Sequence, residues 1–102
     1  MRASPERIGA LIEGEVAAWR GRGGADGATL ADFEAHLQAP RAVEVQFSGG
    51  VMQTCWAVTR PRGPYQVIYM PAAGYFSLCV GSQFGPLDIG VHGKAIDCFG
   101  SV

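Results

Sequence analysis

Asp88 and His92 are the residues whose types and spacing most readily suggest chemistry. They stand four positions apart in a segment that alternates apolar and polar residues, beside Gly85, Gly90 and Gly93. A carboxylate that orients an imidazole lets the imidazole serve as base toward a thiol or hydroxyl. Cys79 or Cys98 would then be the nucleophile, and Asp88, His92 and Cys79 would be the polar groups of a small pocket. The plainer reading is a hairpin whose histidine and aspartate face solvent. It is favoured because no local nucleophile signature accompanies them.

The three cysteines, Cys55, Cys79 and Cys98, lie far apart in apolar runs, and no CxxC pair exists. Cysteine packs as a small hydrophobe, so these are expected to be buried thiols of the core. His36 stands between Ala35 and Leu37 and reads as a boundary histidine. Two histidines with no HExxH or Cys/His cluster give no metal set, and no metal or other cofactor is expected. The glycine-rich stretches Gly21–Gly27 and Gly81–Gly85 do not fit a phosphate loop. The first lacks GxxxxGK[ST] and a preceding strand, and the second leads into Pro86 rather than a helix.

The aromatic residues carry more information. Trp56, Tyr65, Tyr69, Tyr75 and Phe76 crowd the middle of the chain, and Arg60 and Arg62 flank the same turn. Tyr, Trp and Arg dominate the residues that carry binding energy at protein interfaces. Trp56, Arg60, Arg62, Tyr65, Tyr69 and Tyr75 are therefore the expected partner-binding set. The competing reading is cross-strand packing beneath helices. Tyr65 and Tyr69 alternate with Ile68 and Met70, which suggests that the tyrosines turn away from the most apolar face.

The elements that must position these residues follow from periodicity. Ser4 can cap a first helix with Pro5 at its first position, and Ile8, Leu11, Ile12, Val16 and Trp19 recur at helical spacing. The segment Gly21–Gly27 reads as a flexible connector. Thr29 and Asp32 resemble a capping box for a second helix with Leu30, Phe33 and Leu37 on its apolar edge, ended by Pro40.

From Arg41 the period becomes two. Strands are expected at Val43–Phe47, Val51–Arg60, Tyr65–Met70 and Tyr75–Val80, with turns at Ser48–Gly50, Pro61–Pro64 and Pro71–Gly74. The second of these strands is apolar on both faces and would be central. Leu87–Val91 is a weaker strand, and Lys94–Phe99 would be a last one after a turn at His92-Gly93. The fold expected is α+β: two N-terminal helices packed on an antiparallel β-meander of four to six strands. It would be one domain over residues 1–102, helical over 1–40 and a meander over 41–102.

Composition bounds the partners. Hydrophobic residues are 48% of the chain and charged residues 17%, which suits a packed core rather than a disordered tail. The net charge of -1 provides no field favouring nucleic acid or an anionic membrane, so neither is expected as a partner. The apolar stretch from Ile8 to Ile12 is cut short by Glu13, too early for a secretory signal. A cytoplasmic protein with reduced cysteines is expected.

The C-terminal residues carry a resemblance. Gly74-Tyr75-Phe76-Ser77-Leu78, Phe84-Gly85-Pro86-Leu87, His92-Gly93 and Ala95-Ile96-Asp97-Cys98-Phe99-Gly100 follow one another. This series resembles the ending of small bacterial immunity-type proteins of polymorphic toxin systems. There a GDYY-F strand precedes a G-x-x-GHP loop and an I-x-V-F-G strand. The resemblance implies a cytoplasmic α+β domain that neutralises a toxin by binding it. The expected function is thus a non-enzymatic inhibitor that occludes a protein partner. A small enzyme or ligand-binding domain with a pocket between helices and sheet is one alternative. A phage-encoded inhibitor of a host defence system is another. A homo-oligomer is compatible with all three.

Overall fold

The computed structural model describes residues 4–21, 27–83 and 85–102, with the backbone alone at residues 27 and 28. Most of the connector expected at Gly21–Gly27 lies outside the described residues, as does Phe84.

Helix α1 spans Pro5–Gly21. Its N-terminus is closed as the sequence suggests, with Ser4 Oγ accepting the Arg7 N–H at 3.3 Å. Ile8, Ile12 and Val16 form the buried stripe, while Leu11 is exposed. Helix α2 spans Gly27–His36 and buries Leu30 and Phe33. An ion pair between Arg20 and Glu34 at 2.8 Å joins the two helices at their surface.

Five strands follow: β1 Leu37–Phe47, β2 Val51–Thr59, β3 Tyr65–Met70, β4 Tyr75–Ser82 and β5 Gly85–Gly93. Consecutive strands pair antiparallel, and β5 returns to pair parallel with β1 at Leu87 and Gln46, closing a barrel. The α+β class is as expected, but the sheet is closed rather than open. Odd strand number makes the closing pair parallel. That relation is invisible to a reading that pairs each strand only with its neighbour in sequence.

Two further expectations change. Pro40 does not end α2; the helix stops at His36 and Pro40 lies inside β1. The register slips between Leu37, opposite Thr59, and Arg41, opposite Ala57. Proline has no N–H for a ladder, and this irregular stretch is where a strand tolerates it. The expected last strand Lys94–Phe99 is a third helix, α3, over Ala95–Phe99. Ala95, Ile96, Cys98 and Phe99 are all buried and Asp97 is exposed, which is the face pattern of a helical turn rather than of alternation. His92 and Gly93 end β5 instead of forming a turn.

The barrel wall separates two apolar clusters. Inside lie Val45, Cys55, Ala57, Ile68, Met70 and Cys79. Outside, the three helices cover Val58, Val67, Phe76 and Leu78 with Ile8, Ile12, Val16, Phe33, Ile96 and Phe99. The lower half of β2 is covered on both faces as expected, whereas Val51 and Met52 at its start are exposed. No helix among the described residues is long and apolar enough to cross a membrane.

Candidate functional site

Asp88 and His92 do come together, through an irregularity of β5. Leu78 pairs with Val91 and the next residue, Cys79, pairs with Asp88. One step along β4 therefore spans three along β5, and Ile89 and Gly90 bulge out exposed. Gly90 takes φ +80° at the bulge, a conformation that glycine adopts without steric cost. The bulge turns Asp88 and His92 to the same side, next to Ser77, which pairs with His92.

The Ser77 hydroxyl donates to Asp88 Oδ1, and His92 Nε2 lies 3.3 Å from Asp88 Oδ2. The His92 ring stacks on Tyr75 with centroids 4.5 Å apart. The carboxylate thus occupies the middle of the chain Ser77–Asp88–His92. In a serine-nucleophile triad the imidazole occupies that position, because the base must touch the hydroxyl it deprotonates. Here the Ser77 hydroxyl donates its hydrogen bond to a carboxylate and not to the imidazole, so the arrangement orients Asp88 rather than activating Ser77.

The cysteine–histidine pairing is not assembled either. Burial, reinforced by the nearby Asp88 charge, pushes the Cys79 thiol up to about 12. Cys98 is raised to about 11, again chiefly by burial, and its Sγ points to the carbonyls of Phe76 and Val91, each at 3.6 Å. Thiols held this far from ionisation are poor nucleophiles. All three cysteines are buried and free, as expected, although Cys98 is buried in α3 rather than in a strand. Among the described residues no three His, Cys, Asp or Glu side chains converge as a metal set.

The aromatic and arginine residues divide among different surroundings. Trp56, Tyr65 and Tyr69 are half-buried against the helix-covered cluster, and Tyr69 meets Phe76 edge-on at 5.0 Å. Tyr75 instead packs on the barrel interior. The tyrosines of β3 do turn away from Ile68 and Met70, but toward a second core rather than toward open solvent.

Arg60 and Arg62 flank the β2–β3 turn. Arg60 reaches back to donate to the Ala35 carbonyl at the end of α2. Arg62 is held by Asp32 at 3.3 Å and lies over the Phe99 ring, 4.7 Å from its centroid. His36 Nδ1 faces two acceptors of Asp32, the carbonyl at 2.8 Å and Oδ1 at 3.2 Å, which places the ring proton on Nδ1. Alongside, Arg62, Tyr65, Gln66, Phe99 and Val102 close over Val67 and Leu78 in a shallow groove too tight to hold a water molecule. The structure therefore brings Arg62 and Tyr65 of the expected set to one groove, and leaves Tyr75 on another side of the sheet.

Comparison with protein-family models, curated proteins and solved structures gives no match to this chain.

Asp32, Ser77 and Phe99 take part in these sites without standing out in the sequence. Ser77 had a signal, as the lone aliphatic hydroxyl in the apolar strand from Tyr75 to Val80. Asp32 and Phe99 reach their roles through contacts far along the chain, which no local pattern announces.

Proposed function

We propose that this protein is a non-enzymatic binding domain that inhibits a protein partner by occlusion, in the manner the immunity-type resemblance implies. The observation that supports this reading is the groove beside α3. Arg62 is fixed there by Asp32 and Phe99 before any partner arrives, next to the half-buried Tyr65. An arginine and a tyrosine already ordered lose little conformational freedom on binding, the property that makes a few residues dominate an interface. The test is affinity capture from the native host with unaltered protein and with Arg62→Ala and Tyr65→Ala as baits. A partner retained by the unaltered chain and lost by both variants supports the reading; one retained equally by all three removes this groove. A phage-encoded inhibitor would use the same kind of surface, and neighbouring toxin or phage genes separate the two.

A second reading, ligand binding at the barrel rim, is favoured by the ordered group of Tyr75, Ser77, Asp88 and His92. An activity abolished by His92→Ala with the fold intact would favour it over inhibition.

A further inference from the structure

The β1–β2 hairpin rises past its neighbour. β3 ends at Met70, and its pairing with β2 is confined to Trp56 with Tyr69 and Ala57 with Ile68. The start of β2, Val51 to Thr54, is paired on one side by β1 and on the other side, among the described residues, by nothing. Its backbone N–H and C=O groups form an open edge. Exposed edges are usually protected by lysine, proline or a bulge. None of these is present: no charged residue occurs between Glu44 and Arg60, no proline interrupts β2, and its ladder with β1 is regular from Arg41 to Phe47. Val51 is 52% and Met52 45% exposed.

We infer that this edge pairs antiparallel with the same edge of a second copy, extending the sheet across a two-fold axis. In self-pairing the residue on the axis meets its own copy and its neighbours meet each other across it, so a charge on or beside the axis would face or adjoin its like; a neutral edge is what such an axis requires. The register follows from the faces. Val45, opposite Gln53, lies in the barrel interior, so Gln53 and Val51 share that face. Met52 and Thr54 share the outer face with Glu44 and Gln46. Directly opposed residues of an antiparallel pair lie on one face, so outward residues must meet outward residues. Centring the axis on Met52 satisfies this. The two methionines then meet and Val51 meets Gln53 of the second copy; Gly50, in the turn before β2, stays outside the ladder. The outer row beside Met52 continues through Gln46 to Leu87 without a charge. The nearest carboxylate, Glu44, stands one strand back and accepts a hydrogen bond from the Thr54 hydroxyl. So short an edge buries well under about 1,000 Å², and the dimer is accordingly weak and concentration-dependent.

The test uses charge at position 52, where the side chain points outward and the fold tolerates it. Sedimentation velocity is run on the full chain, on Met52→Lys, on Met52→Glu and on an equimolar mixture of the two, with circular dichroism to confirm folding. The unaltered protein is expected to dimerise reversibly. Each variant should weaken this by about tenfold or more, and the mixture should restore it. Slower amide exchange at Met52–Thr54 with rising concentration of unaltered protein reports the same contact without a mutation. A chain that stays monomeric up to about 1 mM overturns the proposal. So does a lysine variant that dimerises as well as the parent, or binding of an unrelated extended peptide to this edge while the chain stays monomeric.

Discussion

The Glu15 carboxylate of α1 accepts the backbone N–H of Ala95 at 2.7 Å, capping the first turn of α3 from 80 residues away. Lys94, at the cap position itself, supplies no side-chain hydrogen bond. The first amides of a helix need a partner when buried, and α3 is buried between β-barrel and helices. Glu15 thus provides what the local sequence lacks. Burial pushes its carboxyl above the ordinary value of 4.5, opposed by the hydrogen bond from Ala95 and the charge of Lys94.

That balance predicts a pH-dependent contrast between two variants. Glu15→Ala should cost about 1 kcal/mol through loss of the cap. Glu15→Gln keeps an acceptor and does not titrate. A raised carboxyl contributes stability that is full below pH 4.5 and is lost as pH rises through its elevated value. The stability of the parent relative to Glu15→Gln should therefore decline between pH 4 and pH 7. Urea unfolding at both pH values checks it; an unchanged difference would contradict the buried, charged cap.

Cys55, Cys79 and Cys98 should resist thiol reagents in the native state at neutral pH and react together on unfolding. Burial is the first cause of the raised values, about 11 for Cys55 and Cys98 and about 12 for Cys79. The sign is the same as for Glu15. Their contribution is intact below the ordinary thiol value of 9 and fades as pH climbs through about 11 to 12. Rapid native labelling of any one would place it outside the core.

Tyr69→Ala separates the two roles its residue type suggests. A tyrosine packed on the helix-covered core and against Phe76 should cost about 2–3 kcal/mol on truncation. The alternation with Ile68 and Met70 predicts instead a nearly unchanged melt and a weaker complex. A thermal melt decides between them: a shift of only a degree or so would return Tyr69 to the binding surface.

Ser77→Ala should destabilise by about 1–3 kcal/mol, since it removes the hydroxyl that Asp88 accepts in a buried setting. His92→Ala, at the exposed end of the same chain, should cost less than about 1 kcal/mol. Paired urea titrations measure both, and the reverse order would show that His92 rather than Ser77 anchors Asp88.

Local patterns in the sequence sufficed for whatever local forces decide. The Ser4 cap and the Ile8–Ile12–Val16 stripe define α1, and the alternation after Arg41 marks the strands. The turns at Gly49, Gly63 and Gly74 fall where positive φ is needed, and the buried cysteines follow from their apolar runs. Closure of the barrel was decided elsewhere. It depends on Gln46 meeting Leu87 after every intervening strand has added its tilt, a sum no single segment contains. The helical state of Ala95–Phe99 likewise rests on Glu15 and on a core waiting to receive Ile96 and Phe99. So short a segment cannot offset its own nucleation cost, and tertiary packing chooses its conformation. For the same reason the meeting of Arg62 with Asp32 and Phe99, and the bulge that sets Asp88 beside Ser77, belong to the folded chain alone.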